Sequence, residues 1–319
     1  MKYDCRPIVS PADWDQAANF RNSFWPSYPL TGEQIRLHAS YVPPEHPVDR
    51  WIVTQDSEPI AYVVITPGFW YKTPGRFEAR IFLLEGPDQE CHISDLLELI
   101  WDRVVERGGN VLGIWVQDDK KVFVSVLEGA GMVPTQRNPD SSLNLETFDP
   151  EPFLLQWPTL EAQGYRVMTL KELSELDPDW QRKAYDLEMA IMRDVPLPDP
   201  WIDTPFASYV KELNSPYMRR ESIFYMDYNG TWVGTSALHP NFVNPRLFNT
   251  GLTGVVAAHR RKGVARVLKA RALEFAKSLG GVRVSTDNEE SNPMFQLNLE
   301  LGFKKDFDWV CYERRVIGP

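Results

Sequence analysis

A chain of 319 residues is long for one compact domain and suited to two, and 43% hydrophobic with 12% aromatic residues is enough for real cores, so disorder is set aside. A net charge of −10 repels a phosphate backbone and argues against a nucleic-acid partner, while no run of about 18 apolar residues exists to span a bilayer, so no membrane partner is expected. The segment Met1–Arg6 lacks the apolar core of a secretory signal, and Cys5, Cys91 and Cys311 have neither paired zinc spacing nor an even count for disulfides; no metal is expected, and a reduced cytoplasm fits best.

The first half opens with a short strand near Arg6–Val9 and a polar-capped helix around Pro11–Phe24. A hairpin follows, Trp51–Thr54 turning through Asp56-Ser57 into Ile60–Ile65, then a strand over Phe77–Leu84. Beyond an acidic loop, Ile93, Leu96, Leu97, Ile100, Trp101, Val104 and Val105 recur at helical steps and stop at Gly108-Gly109. A buried strand at Val111–Val116 and a helix ending in Gly131-Met132 complete this half. Asp149–Gln163 reads as an irregular linker because Pro150, Pro152 and Pro158 discourage regular structure.

The second half repeats the order. A strand at Tyr165–Met168 leads to helical text over Lys171–Leu176 and Trp180–Met192. Asn229-Gly230, a strong two-residue hairpin signal, joins Ile223–Met226 to Trp232–Leu238. Leu247–Ala257 is the next strand, and Val264, Val267, Leu268, Ala272, Phe275, Ala276 and Leu279 mark a helix that stops at Gly280-Gly281. A strand at Val282–Thr286 and a helix ending in Gly302-Phe303 follow. The matching Gly-Gly and Gly-apolar pairs keep a near-constant offset, so the chain reads as two tandem copies, residues 1–150 and 151–319.

The chemistry concentrates in the second copy. Arg260, Arg261, Lys262, Arg266, Lys269 and Arg271 form a basic run with no acid among them, attached to a strand and to Gly263. The first turn of a helix leaves N–H groups unpaired at the positive end of its dipole, which suits a pyrophosphate. Gly263 and Ala265 permit close approach. The spacing is neither a Walker loop nor a three-glycine dinucleotide fingerprint.

Arg260-Arg261-Lys262-Gly263-Val264-Ala265, after Thr253-Gly254-Val255-Val256, resembles the coenzyme A loop of the GNAT acyltransferase superfamily. Asn288, Asn292, Met294 and Asn298, followed by Gly302-Phe303, resemble that family's distal segment. The whole chain is similar to tandem GNAT proteins of the mycothiol-synthase-like type. The resemblance implies an α/β fold of two copies, each a mixed, mostly antiparallel sheet flanked by helices, and acetyl-CoA as co-substrate without a metal. It implies that Val255 and Val256 pair with the pantetheine arm and that the 260–265 amides hold the pyrophosphate. Asn288, Asn292 and Asn298 would lie along the cofactor; the alternatives are helix caps for Asn288 and Asn292 and a packed amide for Asn298.

The implied activity is acetyl transfer to a small-molecule amine by direct attack, with the Val256 N–H receiving the developing oxyanion. The first copy, with Glu85, Asp88 and Glu90 where the second has its cations, is expected to bind no cofactor. Cys91 and His92 there are a remote metal or nucleophile pair.

This chain departs from the commoner family pattern. Asn298 stands where a tyrosine acid is usual, and the strand Leu247–Thr253 carries no carboxylate base. Glu188, Asp194 and His239 are the candidate bases and Tyr312 a candidate acid, with the proline-rich segment after Asp194 as a substrate lid; the alternatives are solvent-facing helix carboxylates for Glu188 and Asp194, a cap of the turn before Pro196 for Asp194, and core or cleft packing for Tyr312. The alternative is a non-catalytic module that binds or senses acyl-CoA. N- versus O-acylation, the acceptor and the oligomeric state stay open.

Overall fold

The computed structural model describes residues 3–316, so Met1 and Lys2 of the N-terminal reading lie outside it. In chain order the first copy runs β1 (Asp4–Pro7), α1 (Pro11–Phe24), α2 (Gly32–Ala39), β2 (Asp49–Gln55), β3 (Glu58–Pro67), β4 (Arg76–Leu83), α3 (Gln89–Glu106), β5 (Val111–Gln117), α4 (Lys121–Gly129) and β6 (Val133–Asn144). Two short helices, α5 (Glu151–Leu154) and α6 (Trp157–Ala162), precede β7 (Tyr165–Thr169), α7 (Leu170–Leu176), α8 (Trp180–Met192) and α9 (Phe206–Leu213). The chain closes with β8 (Ile223–Tyr228), β9 (Thr231–Pro240), β10 (Leu247–Val255), α10 (Val264–Ser278), β11 (Arg283–Asp287), α11 (Pro293–Glu300) and β12 (Lys304–Arg315). No helix among the described residues is long and apolar enough to cross a membrane.

Local chemistry explains the element ends. Ser10 caps α1 in a reciprocal box with Asp13, and Thr169 does the same for α7 with Glu172. Asp56-Ser57 and Asn229-Gly230 all take positive φ, as tight hairpins require. The linker is a correction. Pro152 and Pro158 sit in the first turns of α5 and α6, where a missing N–H costs nothing, so they start helices instead of preventing them.

The chain divides into two compact units, Met1–Asn138 with Leu197–Ile202 and Phe307–Pro319, and Pro139–Pro196 with Asp203–Asp306. This departs from a linear division at residue 150. In the first unit the strand order is β1-β2-β3-β4-β5-β12, antiparallel except for β4–β5. In the second it is β7-β8-β9-β10-β11-β6, antiparallel except for β10–β11. Each sheet therefore ends on a strand that belongs by sequence to the other copy. Residues 140–144 of β6 pair with β11, and residues 309–315 of β12 pair with β5. Ladder hydrogen bonds, not sequence order, set the boundary.

The first unit buries Ile52, Val63, Leu96, Ile100, Leu112 and Leu127 between its sheet and helices. It also claims the proline-rich segment expected as a lid. Lys72 N donates to Pro200 O at 2.8 Å, Ile202 N to Trp70 O at 2.8 Å, and Tyr71 bridges to Trp201. The fully buried Arg76 guanidinium bonds Asp199 at 2.5 Å and Glu313 at 2.8 Å and lies over the Tyr71 ring. In the second unit, one sheet face packs Phe224, Met226, Val233 and Val255 against Val267, Leu268 and Leu273 of α10. The other face packs Tyr225, Trp232 and Ala237 against Leu173, Leu187, Ile191 and Tyr209 of α7, α8 and α9.

Candidate active site

In the second unit, β10 and β11 run parallel for three residue pairs, from Leu247–Arg283 to Asn249–Ser285, and then part. The Thr250 hydroxyl donates to Thr286 Oγ1 at 2.5 Å in the crotch of the fork. Beyond it, β10 keeps its other neighbour, β9, through Thr253–Ser236, Gly254–Thr235 and Val255–Gly234. One edge of β10 is thus left open along the fork.

Alternation along a strand sends a residue's N–H and C=O to one side and its neighbour's to the other. Val256 N–H donates to Val233 O at 2.9 Å, toward β9, so Val255 points its own groups into the fork. This corrects two expectations. The Val256 N–H is used by the ladder and is not available to an oxyanion. The Val255 carbonyl accepts from Arg260 Nε at 2.7 Å, so a pantetheine arm pairing there has to displace Arg260 or use the Val255 N–H. A bulge between Thr250 and Thr253 takes Gly251 and Leu252 out of the β9 register at the height of the crotch.

At the mouth of the fork the chain makes a 3₁₀ turn at Ala257–His259 and enters α10 through Gly263, whose φ is 86°. A left-handed N-cap with no side-chain cap leaves the first-turn N–H groups of α10 exposed at the positive end of the helix. A Cβ on Gly263 would lie 1.9 Å from Gln156 Oε1, the tip of an exposed side chain that can swing aside, so it is the left-handed φ that calls for glycine. The basic run is not one uniform patch. Arg260 ion-pairs with Asp194, Arg266 with Glu300 and Arg271 with Glu274 at 2.8 Å. Lys269 is turned into the core near the Phe303 ring, and burial pushes its ammonium down to about 7. Among the described ion pairs, Arg261 and Lys262 carry no acidic partner and are the cations available to a ligand at the α10 N-terminus.

The distal asparagines take structural partners of their own. Asn292 caps α11, accepting from Met294 N at 2.9 Å. Asn298 is fully buried and donates Nδ2 to Asn288 Oδ1 at 2.6 Å, while its Oδ1 is buried with no hydrogen-bond partner.

The three candidate bases fall in different surroundings. Asp194 follows α8 and neutralises Arg260. Glu188, a turn before Ile191 on α8, accepts from Tyr225 OH at 2.5 Å; burial pushes its carboxyl up to about 7, and the Tyr225 bond pulls the other way. Tyr225 is on β8, which is separated from β10 by β9. His239, on β9, pairs directly with Asn249 of β10 where the parallel ladder ends. A Cβ on Gly251 would lie 2.4 Å from His239 Nε2, so the imidazole lies over the bulge. This pairing was not legible in the sequence, because it depends on the register of two strands. Gly254 has a matching role, since a Cβ there would lie 2.3 Å from Ile191 Cγ2, so its missing side chain lets α8 pack closely on β10. Tyr312 takes the packed alternative. It lies in the first unit and donates to Glu128 at 2.9 Å, and burial with that carboxylate pushes its phenol up to about 12.

The matching place in the first unit is built differently. β4 and β5 also part, after Ala79–Ile114, but α3 enters through Asp88 with no side-chain cap. Lys120 spans toward Glu85 at 3.1 Å and lies over the Phe24 ring, beside a cavity of about 230 Å³. His92 turns to Gln55 at 2.8 Å and Cys91 to Asp95, so the two do not act as a pair. Among the described residues no group of three or more His, Cys, Asp or Glu is placed to hold a metal ion.

Comparisons with known proteins agree with this geometry. Residues 179–303 match the family model described as the acetyltransferase (GNAT) family. No curated protein matches the chain. Among solved structures, a tandem GNAT protein from the clavulanic acid biosynthesis pathway, solved without AcCoA, superposes with a TM-score of 0.69 at 18% identity, covering 99% of both chains. A GCN5-related N-acetyltransferase from Sphaerobacter thermophilus gives 0.68 at 15% identity, covering 98% of this chain and 96% of its own. A GNAT-family acetyltransferase from Colwellia psychrerythraea gives 0.60 at 12% identity, covering 99% of this chain and 100% of its own. The forked sheet, the glycine-entered helix and these likenesses make the chain a tandem two-domain protein of the GNAT fold, with residues 179–303 of its second copy matching the acetyltransferase (GNAT) family.

Proposed function

We propose that the second unit binds acetyl-CoA along the open edge of β10 and transfers the acetyl group to the amine of a small molecule. The observation that carries this reading is the fork itself: a parallel pair that parts beside a helix entered through a left-handed glycine, with two unpaired cations at the entry. The pantetheine arm would pair with the Val255 N–H, and the pyrophosphate would sit on the first-turn amides of α10 with Arg261 and Lys262. The buried, unpaired Asn298 Oδ1 offers an acceptor toward the arm.

Transfer needs the amine nitrogen to attack the thioester carbon, the C–N bond to form, the C–S bond to break and one proton to leave the nitrogen. His239 would take that proton, a reading supported by the register of β9, which brings its ring over the bulge. The oxyanion would be received at the bulge of Gly251 and Leu252. Thiol release from acetyl-CoA, monitored across an amine panel, tests the reading. Binding of acetyl-CoA with no thiol release for any amine would leave a sensor of acyl-CoA, a reading favoured by Asn298 standing where a hydroxyl acid is usual.

A further inference from the structure

The first unit gathers three arginines that no acid neutralises. In the antiparallel ladder of β2, β3 and β4, Arg50 stands opposite Val64 and Val64 opposite Arg80. Both arginines therefore leave the same face of the sheet, about 10 Å apart across Val64. Tyr62, two residues along β3, shares that face. The helix α1 packs against it, the Phe24 ring meeting Phe82 edge-on at 5.7 Å and Phe82 stacking on Tyr62 at 5.5 Å. This helix also brings in Arg21, only 9% exposed, with its guanidinium 4.8 Å from the centre of the Trp25 ring. We propose that Arg21, Arg50 and Arg80 form a binding site for a phosphate monoester. The site belongs to the first unit and requires nothing of acetyl-CoA.

A buried arginine is normally paired with an acid. Among the described residues none of these three has a carboxylate partner. Arg21 Nη1 donates to Tyr28 O at 2.8 Å and to Asn22 Oδ1 at 3.2 Å, neutral acceptors that leave its charge uncompensated. Burial and the charge of Arg80 push its guanidinium down to about 10, so it is still protonated at neutral pH. Burial lowers Arg50 too, while the Tyr62 hydroxyl pulls the other way. On α2, His38 feels the same surplus, its imidazole lowered by burial and by Arg21. The acids next to these residues in sequence are committed elsewhere. Asp49 binds Arg103 at 3.0 Å and Arg107 at 2.9 Å, and Glu78 accepts from Tyr71 OH at 2.9 Å and lies 3.7 Å from Arg76. In a chain of net charge −10, cations left bare in this way make a place for an anion from outside the chain.

The chemistry of the three heads selects the anion. A guanidinium offers a planar fork of N–H donors that matches two oxygens of one group. A phosphate monoester presents three terminal oxygens and close to two negative charges at neutral pH, enough to meet all three forks. A single carboxylate has two oxygens and one charge, and would leave one arginine bare. Two arginine side chains span the gap between β2 and β4, so their heads can meet on one group above Val64. Arg50 is half-buried and Arg80 exposed, so the site has Arg21 at its base and an open rim through which the organic part of the ester faces solvent.

The test titrates the full chain with glycerol 3-phosphate by calorimetry at fixed ionic strength, with succinate and sodium chloride as the other arms. Glycerol 3-phosphate is expected to bind saturably and sodium chloride is not. Arg50→Gln and Arg80→Gln, both at the rim and checked for folding by thermal melting, should each weaken glycerol 3-phosphate about tenfold or more. Arg80→Lys keeps the charge without the fork and should recover only part of that loss. A chain carrying Arg261→Gln and Lys262→Gln, which removes the free cations at the α10 entry, should bind glycerol 3-phosphate as the parent does. Binding that disappears in that chain and survives in the folded Arg50 and Arg80 variants would put the phosphate in the second unit and overturn the proposal. Succinate binding as tightly as glycerol 3-phosphate would overturn the phosphate class, and a folded parent with no saturable binding of glycerol 3-phosphate would remove the site.

Discussion

Replacing Gly263 with Glu places a carboxylate where the diphosphate is proposed to sit. At about 5 Å and an effective dielectric near 20, two unit charges of like sign repel by about 3 kcal/mol, which weakens binding more than about a hundredfold. The substitution also strains the backbone, because Gly263 holds φ at 86°, and a left-handed L-residue costs about 1–2 kcal/mol. The collision with Gln156 Oε1 is milder than its 1.9 Å suggests, since that atom is the tip of an exposed, flexible side chain. Gly263→Ala carries the same strain without the charge. Calorimetry with acetyl-CoA on both variants, beside thermal melting, separates the two effects. The melting temperatures should fall together, and the affinities should part. Added salt should narrow the gap by screening the charge. If the Glu variant binds within about threefold of the Ala variant, the phosphates are seated elsewhere and the account of the α10 entry is wrong.

Three further outcomes are expected. His239→Asn should lower turnover by about 10²–10⁴-fold while the acetyl-CoA dissociation constant stays near the parent's, and an unchanged rate would remove His239 from the mechanism. Arg76→Met removes the buried cation shared by Glu313 and the partly buried Asp199, leaving Glu313 with the half-exposed Arg315 alone, and should cost about 2–4 kcal/mol in denaturant titration, with Glu313→Gln in the same chain restoring part of it; a cost under about 1 kcal/mol would show the cluster to be solvated. The Glu188 carboxyl titrates near 7 when folded against an ordinary 4.5, so its contribution to stability is complete below 4.5 and is lost as pH rises through 7. Glu188→Gln should therefore raise the melting temperature more at about pH 8 than at about pH 5, and equal shifts at both would contradict the burial argument.

The parts of this molecule that were legible in sequence are those set by neighbours in the chain. Asn229-Gly230 and Asp56-Ser57 mark their hairpins because the turn conformation is a property of those residues. Gly108 and Gly280 end their helices for the same reason, and the Arg260–Ala265 loop shows its glycine and its charge directly. What could not be read depends on partners across the fold. Asp194 looks like a base until Arg260 is beside it, and Glu188 looks solvent-facing until Tyr225 closes over it. Val256 looks like an oxyanion donor until the ladder to Val233 takes its N–H. His239 acquired its importance only from strand register and from the absence of a side chain on Gly251, whose place its ring takes. The linker prolines misled because a proline rule was applied without asking which helical turn they occupy.

The exchanged closing strands bear on how such a chain can be cut, copied or inherited. A gene split at the seam between the repeats would yield one polypeptide lacking β12 and another lacking β6. Each would expose a row of unpaired backbone groups along β5 or β11, an adhesive edge that invites aggregation. Made together in one cell, the two fragments should instead repair each other, each lending its last strand to the other's sheet. Neither copy can therefore be shed alone, because the sheet of each is finished by residues that the other encodes.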